Sequence, residues 1–184
     1  MPLEYEHHCL PNKLGRINNS HALQLLSMHQ QISPMSILTK EHGVMLSMAH
    51  GIERDLGSIR NNTLNTGTRE RITNLTEFLQ RHILKEEQVV FPVLLWHLGL
   101  DKPVVNTMHE EHERMGAEFQ SIVAHLSKPS SVDLQRIHDI LDVLNSHISK
   151  EDNVLFWLAE IRVPPHLYGI LVKQMDAMEE QVKH

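Results

Sequence analysis

Histidine and glutamate interrupt the apolar faces of four predicted helices in this chain. Two of these helices carry the same motif, a histidine followed four residues later by a glutamate, at His82 and Glu86 and again at His147 and Glu151. A spacing of four places both side chains on one face of a helix, about one turn apart. Such groups are almost never fully buried unless they are paired or bind a metal. The predicted ligand set has six members: His42, His82, Glu86, His112, His147 and Glu151.

The residue types in this set restrict the metal. Imidazole and carboxylate together suit iron, manganese or zinc, whereas copper(I) prefers sulfur and calcium prefers oxygen ligands alone. A single catalytic zinc takes three protein ligands, and six are too many for one such site. Two metal ions fit the set, with each glutamate able to bridge them, and the core of a helix bundle is a place where dinuclear centres are built.

Five helical segments, and no convincing strand, are predicted to position these residues. Their apolar residues recur in steps that alternate between three and four, which is typical of helices that cross at about +20° in a four-helix bundle. The fold class is therefore all-α: an up-and-down four-helix bundle over residues 34–182 that includes an additional C-terminal helix. Residues 1–33 are predicted to form a partly irregular N-terminal extension with a short helix within 20–31. The predicted helices begin at Pro34, at about residue 68, at Pro103, after Pro129-Ser130-Ser131 and at about residue 166.

The apolar stripes are expected to continue past both ligand glutamates. A bend is predicted at Pro92, because proline removes a hydrogen bond from a helix interior. Extending the same period beyond Glu86 and Glu151 gives the residues that should face the core: Val89, Val93, Trp96, Val154 and Leu158.

Four short motifs carry a resemblance to a known family. They are Thr39-Lys-Glu-His42, His82-Ile-Leu-Lys-Glu-Glu-Gln-Val-Val-Phe-Pro92, Glu110-Glu-His-Glu113 and His147-Ile-Ser-Lys-Glu-Asp-Asn-Val-Leu-Phe156. In this order, and over roughly residues 34 to 182, the chain resembles the hemerythrin-like (HHE cation-binding) family. The resemblance implies a four-helix bundle that holds two iron ions joined by an oxo or hydroxo bridge. Members bind or react with O2, NO or peroxide, and some act in iron sensing or iron–sulfur cluster repair.

Carried over residue by residue, the resemblance assigns the six residues above as the iron ligands. Oxygen-carrying hemerythrins have two histidines four residues apart on the third helix, whereas the positions four residues from His112 are Met108 and Gly116. Four histidines and two bridging carboxylates leave an open or water-filled position on each metal, which resembles the iron–sulfur repair members more than the oxygen carriers. Three alternatives remain open at this point: His109 as a fifth histidine ligand, Asp152 in place of Glu151, and Glu87 in place of Glu86.

The expected function is that of a non-haem di-iron protein that binds or reacts with O2, NO or peroxide at a carboxylate-bridged centre. The choice of iron rests on the resemblance, and zinc or manganese is the alternative. Two other functions fit the same site: iron storage, sensing or signalling without catalysis, and an oxidoreductase of the iron–sulfur repair type. An iron-free helical interaction module is a further alternative. Whether the protein is an enzyme stays open.

Composition excludes several classes of partner and cofactor. The 184 residues carry a formal net charge of −6 and no cluster of Lys and Arg, so neither nucleic acid nor an anionic membrane surface is an expected partner. Cys9 is the only cysteine, which rules out a cysteine cage for zinc or an iron–sulfur cluster within one chain. No signal peptide or membrane span is recognised, and the expected location is the cytoplasm. The fifth helix is interpreted as packing cover or as a homodimer surface.

Overall fold

The computed structural model describes residues 32–59, 63–98, 102–126 and 134–181, and every regular element within them is helical. None of these helices combines the length and the apolar composition that a membrane crossing needs. The predicted N-terminal helix and the break at Pro129-Ser130-Ser131 lie outside the described residues. In chain order the elements are α1 (Pro34–Ser58), α2 (Thr66–Lys85), the π-helical segment π1 (Glu86–Val90), α3 (Phe91–Leu98), α4 (Lys102–His125), α5 (Leu134–Lys150), the π-helical segment π2 (Glu151–Leu155), α6 (Phe156–Arg162), a 3-10 turn (Pro165–Leu167) and α7 (Tyr168–Gln181).

Local sequence signals set the starts of the first two long helices. α1 begins at Pro34 as predicted, with Ser33 at the N-cap position and Pro34 at the first helical position, where its missing N–H costs nothing. The hydroxyl of Ser33 does not cap the helix and instead donates a hydrogen bond to Glu160 in α6. α2 is capped by Asn65, whose side-chain oxygen accepts a hydrogen bond of 2.9 Å from the backbone N–H of Thr68.

The long helices enclose two separate apolar clusters. α1 packs against α2 and α5, and α4 packs against the same two helices. The first cluster joins the C-terminal halves of α1 and α4 to the N-terminal halves of α2 and α5. The second cluster joins the N-terminal ends of α1 and α4 to π1, α3, π2, α6 and α7. Each helix therefore leaves one cluster and enters the other at the point along its length where its predicted ligands occur.

The helices change phase at both ligand glutamates, because π1 begins at Glu86 and π2 begins at Glu151. A π turn contains one extra residue, which rotates the rest of the helix by about 100°. Two of the predicted core positions beyond the glutamates are therefore wrong, because Trp96 is 85% exposed and Val154 is 46% exposed. Val93 and Leu158 are partly buried against the second apolar cluster. The buried face instead carries Val90, Phe91, Leu94, Leu155, Phe156 and Ala159.

Pro92 is not the general cause of this irregularity. It lies two residues after the end of π1, near the predicted bend, but π2 has the same length and is followed at the same distance by Trp157. What the two segments share is the ligand motif immediately before them. Single π turns inside α-helices are frequent at functional sites, and these two carry the glutamates of the predicted metal site.

The C-terminal helix α7 packs against π1, α1 and α2. Tyr168, Leu171 and Met175 of α7 are buried, whereas Ile170 is 56% exposed. Its contacts with π1 and α2 bring it close to the predicted ligands of the second long helix.

Candidate metal centre

The six predicted ligands lie together in a polar layer between the two apolar clusters. Each of them is at most 2% exposed. Their imidazoles form two pairs, and in each pair the Nε2 atoms are 2.9 Å apart. The first pair is His42 with His82, and the second is His112 with His147.

The two glutamates lie between the imidazole pairs. Glu86 Oε1 is 3.3 Å from Nε2 of His82, and its Oε2 is 3.3 Å from Nε2 of His112. Glu151 Oε2 is 3.2 Å from Nε2 of His42 and 3.3 Å from Nε2 of His147. Each carboxylate therefore contacts both imidazole pairs, which is the placement that a bridging ligand requires.

These four buried carboxylate oxygens are not engaged in hydrogen bonds with the chain. None of the N–H or O–H groups of the described residues is aligned to donate to Glu86 or Glu151. A buried polar atom without a partner costs free energy, and a buried charge costs more. The oxygens and the nearby Nε2 atoms face the same small volume, so a cation bound there would satisfy all of them.

Each imidazole contacts a further carboxylate through Nδ1, the ring nitrogen that faces away from the centre. We call these four carboxylates the outer carboxylates. An imidazole that donates its Nδ1–H to a carboxylate presents the Nε2 lone pair on the other side, the tautomer that binds a metal. The contacts are His42 to Asp152 at 2.8 Å, His82 to Glu41 at 2.8 Å, His112 to Glu87 at 3.0 Å and His147 to Glu111 at 2.9 Å.

This arrangement of protons explains why the centre fits a metal. If both Nδ1 atoms of a pair carry the ring proton, two Nε2 lone pairs face each other at 2.9 Å and repel unless a cation lies between them. Two nitrogens bound to one metal at about 2.1 Å are about 3.0 Å apart when the bonds are perpendicular and about 3.4 Å apart when they are tetrahedral. The observed separation is close to that of two nitrogens on one ion, and it is also the ordinary length of an N–H···N hydrogen bond.

The ligand atoms form two groups that could each hold an ion. Within each group the ligand atoms lie within 4.8 Å of one another, and Glu151 belongs to both. The first group offers four residues and the second offers three, although Glu86 also approaches His112. The groups are His42, His82, Glu86 and Glu151, and His112, His147 and Glu151.

The protonation equilibria show that the metal-free centre attracts positive charge. Burial lowers the pKa of His82, but the charge of Glu86 and the hydrogen bond to Glu41 outweigh it and raise that pKa to about 9. Burial also lowers the pKa of His112, but its hydrogen bonds to the two glutamates and their charges outweigh burial and raise that pKa to about 10. Burial raises the pKa of Glu151, yet the imidazoles around it hold the pKa well below the usual value. A metal that binds at His82 and His112 must therefore displace protons.

The centre has an internal twofold relation between its halves. The ligands of the first half lie on α1 and on the continuous helix formed by α2, π1 and α3. Those of the second half lie on α4 and on the continuous helix formed by α5, π2 and α6. The phenylalanine that follows each π segment covers an imidazole of the other half: Phe91 stacks on His112 with centroids 5.6 Å apart, and Phe156 stacks on His42 at 5.2 Å. These rings close the layer on the side of the second apolar cluster.

The three residues that the sequence left as alternative ligands, Asp152, Glu87 and His109, lie outside the buried centre. Asp152 and Glu87 contact the outer nitrogens of His42 and His112 and lie 30% and 25% exposed, whereas the six central residues are buried. His109 is 54% exposed and contacts Glu87 at 2.9 Å through Nδ1. It belongs to neither group of candidate ligand atoms.

Sequence reasoning missed the role of the outer carboxylates. A signal for them exists, because every one adjoins a predicted ligand: Glu41 precedes His42 and Glu111 precedes His112, while Glu87 and Asp152 follow the ligand glutamates. An adjacent residue lies about 100° away around a helix, so it faces a neighbouring helix rather than its own ligand. Which imidazole it reaches depends on the packing of the helices.

A family model now adds to this geometry. The model described as hemerythrin, HHE cation binding domain, matches residues 33–159, which include all six candidate ligands and all four outer carboxylates. The chain belongs to the hemerythrin HHE cation-binding family. The family match confirms the resemblance that the four sequence motifs carry, and its span ends before the C-terminal helix α7.

Curated relatives share part of the chain. The iron–sulfur cluster repair protein YtfE of Salmonella typhimurium is 32% identical over 101 residues, which cover 49% of this chain and 46% of that protein. The proteins of the same name from Salmonella paratyphi B and Salmonella newport are each 31% identical over the same length and with the same coverage. The matched region thus spans a little under half of these relatives. No solved structure is significantly similar to the chain.

Proposed function

We propose that this hemerythrin-family protein is an up-and-down four-helix bundle that holds two iron ions in its polar layer and binds or reacts with O2, NO or peroxide there. One iron would be held by the imidazoles of His42 and His82 and the other by those of His112 and His147. Glu86 and Glu151 would bridge the two ions, since each carboxylate approaches both imidazole pairs.

The observation that carries this proposal is the set of four buried carboxylate oxygens without hydrogen-bond donors, enclosed by four imidazole nitrogens. The outer carboxylates fix each imidazole in the metal-binding tautomer. Imidazole and carboxylate ligands suit iron, and they also suit manganese and zinc. Membership of the hemerythrin HHE cation-binding family supports the choice of iron among them.

The protein's own part in the chemistry is to position ligands and to limit access of water. Bound there, a pair of iron ions supplies coordination positions for a small molecule and two centres that change oxidation state. Six protein residues do not complete two octahedra even when both glutamates bridge, so positions remain for solvent or for a diatomic molecule. The apolar clusters on either side and the stacked rings of Phe91 and Phe156 keep the layer dry.

A second candidate is an oxidoreductase of the iron–sulfur repair type. The observation that favours it is the partial similarity to proteins named iron–sulfur cluster repair protein YtfE. The ligand set of four histidines points the same way, because His109 lies outside the buried layer. Iron storage or sensing without catalysis uses the same metal centre and differs only in the events after a ligand binds.

Metal stoichiometry tests the shared core of these candidates. The apo protein is loaded anaerobically with Fe2+, desalted and assayed for iron, with the double variant His82→Ala/His147→Ala and the exposed-site variant His109→Ala as controls. The proposal predicts two irons in the wild-type chain and in His109→Ala, and none or one in the double variant. One iron or stoichiometric zinc in the wild-type protein would contradict it.

Reactivity then separates the candidates. The reduced, iron-loaded protein is mixed with NO, O2 or hydrogen peroxide under single-turnover conditions and followed optically. A stable adduct that reverses when the gas is removed indicates binding or sensing. Irreversible oxidation of both irons indicates an oxidoreductase. The two electrons released reduce one O2 to hydrogen peroxide, one hydrogen peroxide to water, or two NO to N2O.

A further inference from the structure

Lys85 and Lys150 occupy the same place in the two related halves of the centre, one residue before each ligand glutamate. Each binds the outer carboxylate of its own half: Lys150 Nζ lies 2.5 Å from Glu111, and Lys85 Nζ contacts Glu41 in the same way. The lysines differ in exposure, since the side chain of Lys85 is 5% exposed and that of Lys150 is 44% exposed. The two halves are therefore alike in sequence but not in their surroundings.

The C-terminal helix α7 lies against Lys85. Glu179 of α7 places Oε1 2.6 Å from Lys85 Nζ, so Lys85 lies between two carboxylates. Buried Met175 anchors the helix one turn earlier. Beside Lys150 there is instead a cavity of about 440 Å³ whose lining includes Glu111 and Lys150.

A continuous chain of charged contacts links α7 to the metal centre. It runs from Glu179 to Lys85, from Lys85 to Glu41, and from Glu41 Oε2 to Nδ1 of His82 at 2.8 Å. A buried ammonium needs its counter-charges, because an unpaired charge in the interior is costly. Removal of Glu179 therefore leaves Lys85 dependent on Glu41 alone and changes how Glu41 is placed against His82.

We propose that Lys85 and Glu179 are positioning residues that couple the seating of α7 to metal binding by the His42–His82 half of the centre. This inference rests on the proposed function, because it requires a metal in that half. Coupling of two events is reciprocal: a docked α7 strengthens the binding of one metal ion, and that ion protects α7 from local opening. Among the described residues, Lys150 has no partner corresponding to Glu179, so the proposal predicts that the two ions bind with unequal affinity.

The first test compares Glu179→Gln with Glu180→Gln, which removes the same charge from an exposed neighbour. Glu179→Gln keeps the size of a partly exposed side chain and removes its charge beside Lys85, and the far-ultraviolet circular dichroism of both variants checks that each is folded. Anaerobic Fe2+ titration against a competing chelator should give two irons in both variants. The dissociation constant of one iron should rise about three- to tenfold in Glu179→Gln, below the about 10- to 100-fold typical of a direct partner of a ligand, and should not change in Glu180→Gln.

The second test reads α7 itself by amide hydrogen exchange over Tyr168–Gln181, without and with Fe2+. Iron should slow exchange in the wild-type protein and in Glu180→Gln, but not in Glu179→Gln. Lys85→Met should lose both the protection and the affinity, with Lys85→Arg restoring part of each. Lys150→Met should weaken metal binding in the other half and leave α7 protected.

Equal exchange of α7 with and without iron, or equal iron affinities for Glu179→Gln and Glu180→Gln, would overturn the coupling. If those results came with two irons per chain, the proposed metal centre would stand. Fewer than two irons in the wild-type chain would instead overturn the proposed function and the coupling with it.

Discussion

Replacement of Asp152 tests the division between ligands and outer carboxylates. Asp152 Oδ1 accepts hydrogen bonds from Nδ1 of His42 at 2.8 Å and from the hydroxyl of Thr39 at 2.9 Å. Asp152→Asn keeps a carbonyl oxygen that can accept both bonds but removes the charge. Asp152→Ala removes the acceptor as well and leaves the ring of His42 free to rotate or change tautomer.

The expected size of the effect is set by these contacts. Loss of an outer partner of a metal ligand costs about 10- to 100-fold in metal affinity. The side chain of Asp152 is 30% exposed, and solvent weakens its charge, so the lower end applies. Asp152→Ala should therefore raise one iron dissociation constant about tenfold, equivalent to about 1.4 kcal/mol. Since charged hydrogen bonds are about twice as strong as neutral ones, Asp152→Asn should raise it about threefold.

The assay is anaerobic Fe2+ titration with a competing chelator, with Asp142→Asn as a control for the same change in charge on an exposed part of α5. Both Asp152 variants should retain two irons, and Glu151→Gln should lose at least one. The reasoning is refuted if Asp152→Asn loses an iron while Glu151→Gln keeps both, because Asp152 would then be the ligand. It is also refuted if Asp152→Ala binds iron as tightly as the control.

Three further outcomes are expected. Iron binding to the metal-free protein at pH 7.5 should release about two protons or more, because His82 and His112, with pKa values of about 9 and 10, must be neutral to bind. Calorimetric heats measured in buffers of different ionisation enthalpy count the protons. A release of no protons would contradict the assigned contacts. The same raised pKa values make a contribution to the stability of the metal-free fold that is fully present below about pH 6.5 and is lost as the pH rises through about 9 to 10. The thermal midpoint without metal should therefore fall over that range. An unchanged midpoint would contradict this prediction. Leu75→Ala, at a position that is 0% exposed in the first apolar cluster, should cost about 2–5 kcal/mol in urea unfolding yet retain two irons, and loss of iron without loss of stability would show that the cluster has a different role.

The sequence predicts the central residues because the period of a helix is enough to find them. His42 and His112 each interrupt an apolar stripe. The stripe residues on either side of them are buried: Leu38 and Met45 around His42, and Met108 and Met115 around His112. An ionisable group in such a position is forced into the interior by the helix that carries it. The same argument works for His147, since it needs only the phase of one helix at a time.

The period fails where the helix itself changes. Beyond Glu86 and Glu151 the π segments shift the buried face by one residue, which exposes Trp96 and Val154 and buries residues predicted to be off the stripe. Pro92 marks an irregularity in only one of the two helices. Each π turn begins at a ligand glutamate, and the periodicity of the sequence before it gives no sign of the change.

Contacts between helices are the second kind of information that the sequence does not contain. Glu41 contacts His82 on the next helix, and Asp152 contacts His42 on the first. These partners are separated by 41 and 110 positions in the chain. Their pairing is decided by which helices pack together, and the link from Lys85 to α7 depends on it in the same way.

Anomalous diffraction at the iron edge from crystals of the iron-loaded protein tests the central claim most directly. The proposed di-iron centre should give two peaks in the polar layer, one within bonding distance of Nε2 of His42 and His82 and the other within bonding distance of Nε2 of His112 and His147. Both peaks should contact a carboxylate oxygen of Glu151. A single peak, or iron bound at the exposed His109 or at the outer carboxylates, would contradict the account.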